Sequence, residues 1–428
     1  MRTVLSVAVV LAVTCLGSTA WAAGFYLYEL GTPDVGLASA GYTTRAGDAG
    51  TLFTNPAGMT RLEGNQIMAG LQALYGNASF QANANTSPQL GTDNGGNALG
   101  WLPGGSFFFV SQPAPSKLPD LRVGLGVLNY FGSSLDYSDT WVGRYYLQEG
   151  TLLGFSFMPS VAYQVTDWLS VGAGLNAMYG YIKGQVAVNN IDPRLPDGQL
   201  EYTDRAWGFG ANVGFLLEPV KGTRFGLTYL SQLDLNFKAT PTFNNLGPGM
   251  TAILSSRGLL NAQLNLGMTL PNRVMFGISQ DLGKNWTLMF DMDWEQWSKF
   301  GKVEVGIDSA TPVSLTKTVE YQDTYHFALG AQYRPDARWV LSSGFAFDSS
   351  MMDDAQRTVA TPVGPTWRFG LGAQYAPIKN LQLGLAYEFA WTGDLAINQF
   401  RGPLAGQVAG TFQNTYANFI ALNMNWTF

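Results

Sequence analysis

From residue 168 the chain reads WLSVGAGLNAMYGYIKG, and its side chains sort by parity. Odd positions hold Leu169, Val171, Ala173, Leu175, Ala177, Tyr179 and Tyr181, while even positions hold Ser170, Gly172, Gly174, Asn176, Met178 and Gly180. A two-residue period belongs to a strand with one apolar face and one small or polar face. WGFGANVGFLLEP repeats it, with Trp207, Phe209, Ala211, Val213, Phe215 and Leu217 on the apolar side. The pattern returns over 225–237, 264–278, 286–294, 325–333, 339–347, 367–375, 381–391 and 418–428.

A soluble sandwich also alternates, but its strands run to about five or six residues. Many runs here exceed the roughly nine to eleven residues that carry a tilted strand across a bilayer. Aromatic residues gather near their ends, as the interfacial girdles of membrane barrels require. From residue 65 onward fourteen such runs can be counted, the first at 67–80 and the last at 408–428. An even number closes a barrel with both chain ends on one side. Tight turns at 166–167, 221–222 and 379–380 fit the periplasmic end, and polar gaps at 81–100, 132–150, 189–201, 240–261 and 349–363 fit external loops. The expected fold is all-β, a 14-stranded antiparallel transmembrane β-barrel. Val171 then faces lipid and should not accept Arg, whereas Asn176 faces the lumen and should.

Composition agrees. Charged residues make up 13% of the chain, about half the roughly 25% usual in soluble domains. A net charge of −6 argues against nucleic acid or an anionic surface as partner. Arg2, the apolar run from Val4 to Leu16 and Ala20-Trp21-Ala22 read as a secretory signal peptide over 1–22, too short to span a bilayer. It contains the only cysteine, Cys15, so no disulfide framework is expected. No later stretch approaches the roughly 20 apolar residues of a membrane helix.

Residues 23–64 are left outside the barrel at 65–428, and AGDAGTLFTNPAGM within them has neither strand nor helix period. The segment is too short for a core of its own, and a barrel this wide has a lumen its own side chains do not fill. A plug inside the lumen is the expected arrangement; a loose periplasmic tail would leave Phe25, Tyr26, Leu27, Leu52 and Phe53 exposed.

AGFYLYELGTPDVGLASAGYTTRAGDAGTLFTNPAGM resembles the mature N-terminus of the FadL family of outer-membrane transporters for long-chain fatty acids and other hydrophobic molecules. The resemblance continues through WGFGANVGFLLEP, RFGLTYLSQLDLNFKA, WSKF and DTYHFALGAQYRPDARWVLSSGFAFDSS to the last strand. It implies a fourteen-stranded barrel with an N-terminal hatch whose Asn-Pro-Ala motif is Asn55, Pro56 and Ala57. It also implies passive uptake across a Gram-negative outer membrane, in which the ligand displaces the hatch's N-terminus. Release is then sideways into outer-membrane lipid, through a kink in the third strand. In LRVGLGVLNYFGSS the alternation fails at Leu128, Asn129, Tyr130, Phe131 and Gly132, which places the kink there. The terminal Phe428 of an amphipathic strand resembles the signal read by the barrel assembly machinery. Lys183, Lys299 and Lys302 lie where relatives use basic residues and are candidate contacts for a ligand carboxylate. GQVAV after Lys183 lacks further basic residues, which leaves fatty acids and uncharged hydrocarbons both open. A structural or adhesive barrel is the alternative from another class.

His326 is the only histidine, and no G-x-S-x-G accompanies it, so catalysis is not expected. Asp291, Asp293 and Glu295 share an inward parity. Their spacing of about 7 Å along a strand does not converge on a metal. With Arg122, Arg368 and His326 they are candidates for a lumen polar network; no metal or cofactor is expected.

Overall fold

The computed structural model describes residues 25–300 and 320–428, and the backbone alone of 302–308, 313–314 and 317–318. The signal peptide expected at 1–22 and the Lys302 side chain lie outside the described residues.

Twenty strands are described. The first six are β1 (Gln66–Ala82), β2 (Gly100–Ser111), β3 (Leu121–Asp136), β4 (Glu149–Thr166), β5 (Leu169–Val188) and β6 (Gly198–Val220). Then come β7 (Thr223–Leu230), β8 (Leu233–Ala239), β9 (Thr242–Asn244), β10 (Gln263–Leu270), β11 (Arg273–Leu282), β12 (Trp286–Glu295) and β13 (Lys302–Asp308). After the short β14 (Val313–Ser314) and β15 (Lys317–Thr318) follow β16 (Thr324–Tyr333), β17 (Trp339–Asp348), β18 (Thr366–Ile378), β19 (Leu381–Phe400) and β20 (Gln407–Thr427). Fourteen of them close a ring in the order β5-β4-β3-β2-β1-β20-β19-β18-β17-β16-β12-β11-β7-β6, with β6 paired back to β5. All neighbours are antiparallel, and Phe428 N–H donates to Asn65 C=O at 2.9 Å where first and last strands meet. A closed ring leaves no strand edge in lipid, where an unpaired backbone group costs several kcal/mol.

Three neighbouring wall strands are interrupted at one level: at Ser231-Gln232, at Pro271-Asn272, and between Glu295 and Lys302. Beyond the breaks, toward the long loops, β8, β10 and β13 form a separate sheet. Here the sequence expectation needs correcting. Alternation runs unbroken through 225–237 and 264–278, which implies one apolar face throughout. Instead Leu227, Tyr229 and Phe276 are exposed below the breaks, while Leu233, Leu235, Phe237, Leu264, Leu266 and Met268 are buried above them. The irregular residues at each break turn the strand over, so unchanged parity presents the opposite face. The buried face packs on the inner side of β5 and β6, and α3 (Pro248–Ser256) adds Met250 and Leu254.

A second correction concerns Asn176. It is buried and its side-chain N–H donates to Tyr130 Oη at 2.7 Å, so an Arg there would collide with the kink instead of reaching water. Val171 faces outward as expected, but only two residues into β5, which places it near the periplasmic turn and away from the midplane.

Residues 25–64 fill the lumen, with α1 (Thr32–Gly36), α2 (Thr51–Thr54) and a 3₁₀ turn at Pro56–Arg61, almost all buried. Close approach to the wall depends on missing side chains. A Cβ at Gly214 would meet Asn55 and Pro56, and one at Gly344 would overlap the Leu37 carbonyl. Sustained small residues on the inner parity thus make room for the plug.

Candidate functional site

Asn55 caps the 3₁₀ turn: its Oδ1 accepts from Ala57 N–H at 3.1 Å. Its Nδ2 donates to Thr43 C=O at 2.8 Å and to Phe215 C=O of β6 at 3.0 Å. One amide therefore ties two hatch segments and the wall, and Pro56 supplies a fixed φ at the first helical position. Opposite, Asp291 accepts from Gly41 N–H at 2.5 Å, Thr43 N–H at 3.1 Å and Thr43 Oγ1 at 2.9 Å. The hatch is held by hydrogen bonds from both sides.

The wall ladder is interrupted beside β3. Its ladder with β2 ends at Ser106↔Leu128, and its ladder with β4 slips between Asn129 and Phe131. Past that point β3 pairs with the N-terminal segment instead. Leu27 N–H donates to Tyr130 C=O at 2.8 Å, and Gly132 N–H donates to Phe25 C=O at 3.0 Å. Tyr130, Phe131 and Gly132 turn inward and are buried, and Gly132 has φ +144°. The five residues expected at the kink sit at this departure. Facing it on β2 is Pro103-Gly104-Gly105, which sequence reasoning missed. A Pro followed by two Gly inside a strand pattern was the available signal, since Pro lacks the ladder N–H.

Phe25, Phe131, Trp297 and Phe300 cluster with centroids 4.9–5.8 Å apart, and Tyr26 Oη donates to Pro271 C=O at 2.7 Å. The N-terminal strap thus touches the kink, the break in the wall and the upper apolar core together.

Below the strap lies the polar network. Arg273 pairs with Asp293 at 2.6 Å and Glu295 at 3.3 Å, with its guanidinium 4.2 Å from the Tyr28 ring centroid. Arg368 pairs with Asp348 at 2.6 Å, with Glu388 at 2.8 Å and with Glu29 of the hatch. His326 bonds Asp348 at 2.5 Å and stacks on Tyr28 with centroids 4.3 Å apart. Tyr28 Oη donates to Glu295 at 3.0 Å. Members come from β11, β12, β16, β17, β18 and β19, adjacent strands of one half of the wall. Sequence reading missed Arg273, although it shares the inward parity of Met275 and Gly277, and missed Asp348, Glu388 and Glu29. No serine hydroxyl bonds His326 among the described residues.

Other candidates stand elsewhere. Arg122 is not part of this network: at the periplasmic end it donates to the backbone carbonyls of Pro119 and Leu121 at 2.8 and 3.1 Å. Lys183 shares the outward parity of Tyr181 and pairs with Glu149 of β4 at 2.6 Å, so it does not face an interior ligand. Lys299 is exposed on a 3₁₀ turn between β12 and β13.

The family described as Outer membrane protein transport protein (OMPP1/FadL/TodX) matches residues 13–428. The Long-chain fatty acid transport protein of Escherichia coli O6:H1 is 26% identical over 381 residues, covering 83% of this chain and 84% of that protein. A Pseudomonas aeruginosa FadL homologue of known structure superposes with a TM-score of 0.80 at 18% identity, covering 95% of this chain and 100% of that one. The Ralstonia pickettii toluene transporter TbuX superposes at 0.68 with 18% identity, covering 94% and 99%.

Proposed function

Because the chain belongs to the OMPP1/FadL/TodX family of outer-membrane proteins, we propose that it carries hydrophobic small molecules, fatty acids or hydrocarbons, passively into the outer membrane. The ligand enters the apolar core formed by β8, β10, α3 and the upper parts of β5 and β6. It dislodges the strap Phe25–Leu27 from β3 and leaves sideways between β2 and β3. Each CH₂ gains roughly 0.8 kcal/mol on leaving water, so a dry path from loops to lipid removes the barrier that an aqueous pore would keep.

The observation that carries this reading is the double role of β3. The same backbone that abandons β2 at Leu128 binds the strap, through the Leu27 and Gly132 hydrogen bonds. Moving the strap and uncovering the gap are therefore one event. Relatives bearing the names of a fatty-acid and a toluene transporter support the ligand class.

Gly104→Phe tests it. Gly104 lies in the stretch of β2 that has no β3 partner, is not in the left-handed region, and a Cβ there meets only Gln72 at 3.5 Å. Uptake of labelled oleate or toluene should fall at least fivefold while the amount of folded barrel is unchanged. Unaltered uptake of both would overturn sideways release.

A further inference from the structure

We propose that the periplasmic mouth carries a binding site for a small oxoanion, a carboxylate or a phosphate, formed between the hatch and the wall by Arg45, Arg224 and Arg334. A cavity of about 240 Å³ opens there, and its lining includes Arg45, Arg224, Lys284 and Arg334 against a single carboxylate, Asp281. Four cations around one small cavity are conspicuous in a chain of net charge −6.

The guanidinium groups are not consumed by existing partners. Arg45 uses Nη2 on Asp34 at 2.7 Å, yet its Nε and Nη1 are buried without a partner, and the side chain is only 8% exposed. Arg334 donates to two neutral groups, Thr287 Oγ1 at 3.0 Å and Gln332 Oε1 at 2.9 Å, and among the described residues no carboxylate lies within ion-pair distance of it. Arg224 spends its Nη1 on the Arg45 and Thr44 carbonyls at 3.0 and 3.4 Å, and its Nε stands 3.7 Å from Glu218. Asp281 is engaged by Thr287 Oγ1 at 2.7 Å.

A buried donor without an acceptor costs about 1–3 kcal/mol, and Arg45 holds two of them, Nε–H and Nη1–H, each able to give a charge-assisted hydrogen bond to an oxygen of a carboxylate or phosphate. The cavity is too small for an acyl chain and lies at the opposite end from the apolar core, so it is separate from the transport path. An anion there would bridge hatch and wall and hold the plug in place.

The test uses the purified full-length barrel in detergent. Inorganic phosphate and succinate are each titrated by calorimetry at constant ionic strength, with chloride as reference. At least one should bind saturably, and the tighter of the two identifies the anion's chemistry. Arg334→Gln should weaken binding at least tenfold, as should Arg45→Lys, which keeps a cation for Asp34 but removes the free guanidinium N–H groups. Arg338→Gln, an equal charge loss at an exposed turn on the same rim, should change nothing. No saturable binding by either anion, or equal weakening by Arg338→Gln, would overturn the site.

Discussion

Below the breaks at Ser231, Asn272 and Gln296 the barrel exposes Leu227, Phe276, Leu288, Phe290 and Leu329 and buries Arg273, Asp293, Glu295, His326 and Arg368. Above them Asp234, Asn236 and Lys238 are exposed, while Leu235, Phe237, Leu264 and Leu266 are buried. One chain thus builds a lower zone that is apolar outside and ionic inside, and an upper zone ordered like a soluble protein. Lipid explains the first: its solvent rewards apolar surface, and the polar groups needed to hold a hatch must face inward. Water explains the second, and it places an apolar core beyond the apolar outer band.

The largest effect expected from breaking this contrast is in the lower network. Arg273→Leu removes the cation between two buried carboxylates, and stranding buried charge costs about 3–5 kcal/mol. Thermal unfolding in detergent should show it. An equally large loss from Lys238→Leu, in the upper zone, would mean that the two zones do not differ as described.

Legibility followed the same division. Strand number, turn ends and the lipid face came from a period of two sustained beyond the length of soluble strands. Inversion of the faces was not legible, because Leu235 and Leu227 share a parity, and periodicity records alternation without naming the solvent. The breaks were visible only as Pro271-Asn272, whose Pro lacks a ladder N–H, and as Ser231-Gln232, which also fit an ordinary strand. The kink at Leu128–Gly132 could be located by failed alternation, whereas its partner Pro103-Gly104-Gly105 was missed although a Pro inside the strand pattern marked it. Ion pairing was the least legible part. Arg273, Asp348 and Glu388 lie on different strands, and only ring closure and register bring them together, whereas Lys183 stood on Tyr181's parity and so was readable as outward.

Next in size is the outward face itself. Leu329 lies midway along β16, between Tyr325 and Tyr333. Leu329→Arg should cost about 2–4 kcal/mol, the price of a cation at mid-bilayer. Val171→Arg, close to the turn, should cost about 1 kcal/mol or less. Asn236→Arg, on the exposed face of β8, should stay within about 0.5 kcal/mol of the parent. Equilibrium unfolding in lipid vesicles measures all three, and a penalty at Asn236 matching that at Leu329 would put the upper sheet in lipid.

The smallest effect concerns what the upper core prefers to receive. Arg257 caps α3 beside Leu254, which is buried in that core, and Leu259 and Leu260 after it pack against the same cluster. Its Nη1 is buried and lacks a partner. A carboxylate on an otherwise apolar ligand would satisfy it, and hydrogen bonds to charged groups contribute roughly 1.5–3 kcal/mol. An uncharged hydrocarbon gains nothing from it. Arg257→Ala should therefore lower oleate uptake about tenfold at subsaturating concentration and leave toluene uptake unchanged. If both ligands lose equally, Arg257 shapes the core without reading the ligand's charge; if neither changes, the upper zone recognises its cargo by apolar contact alone.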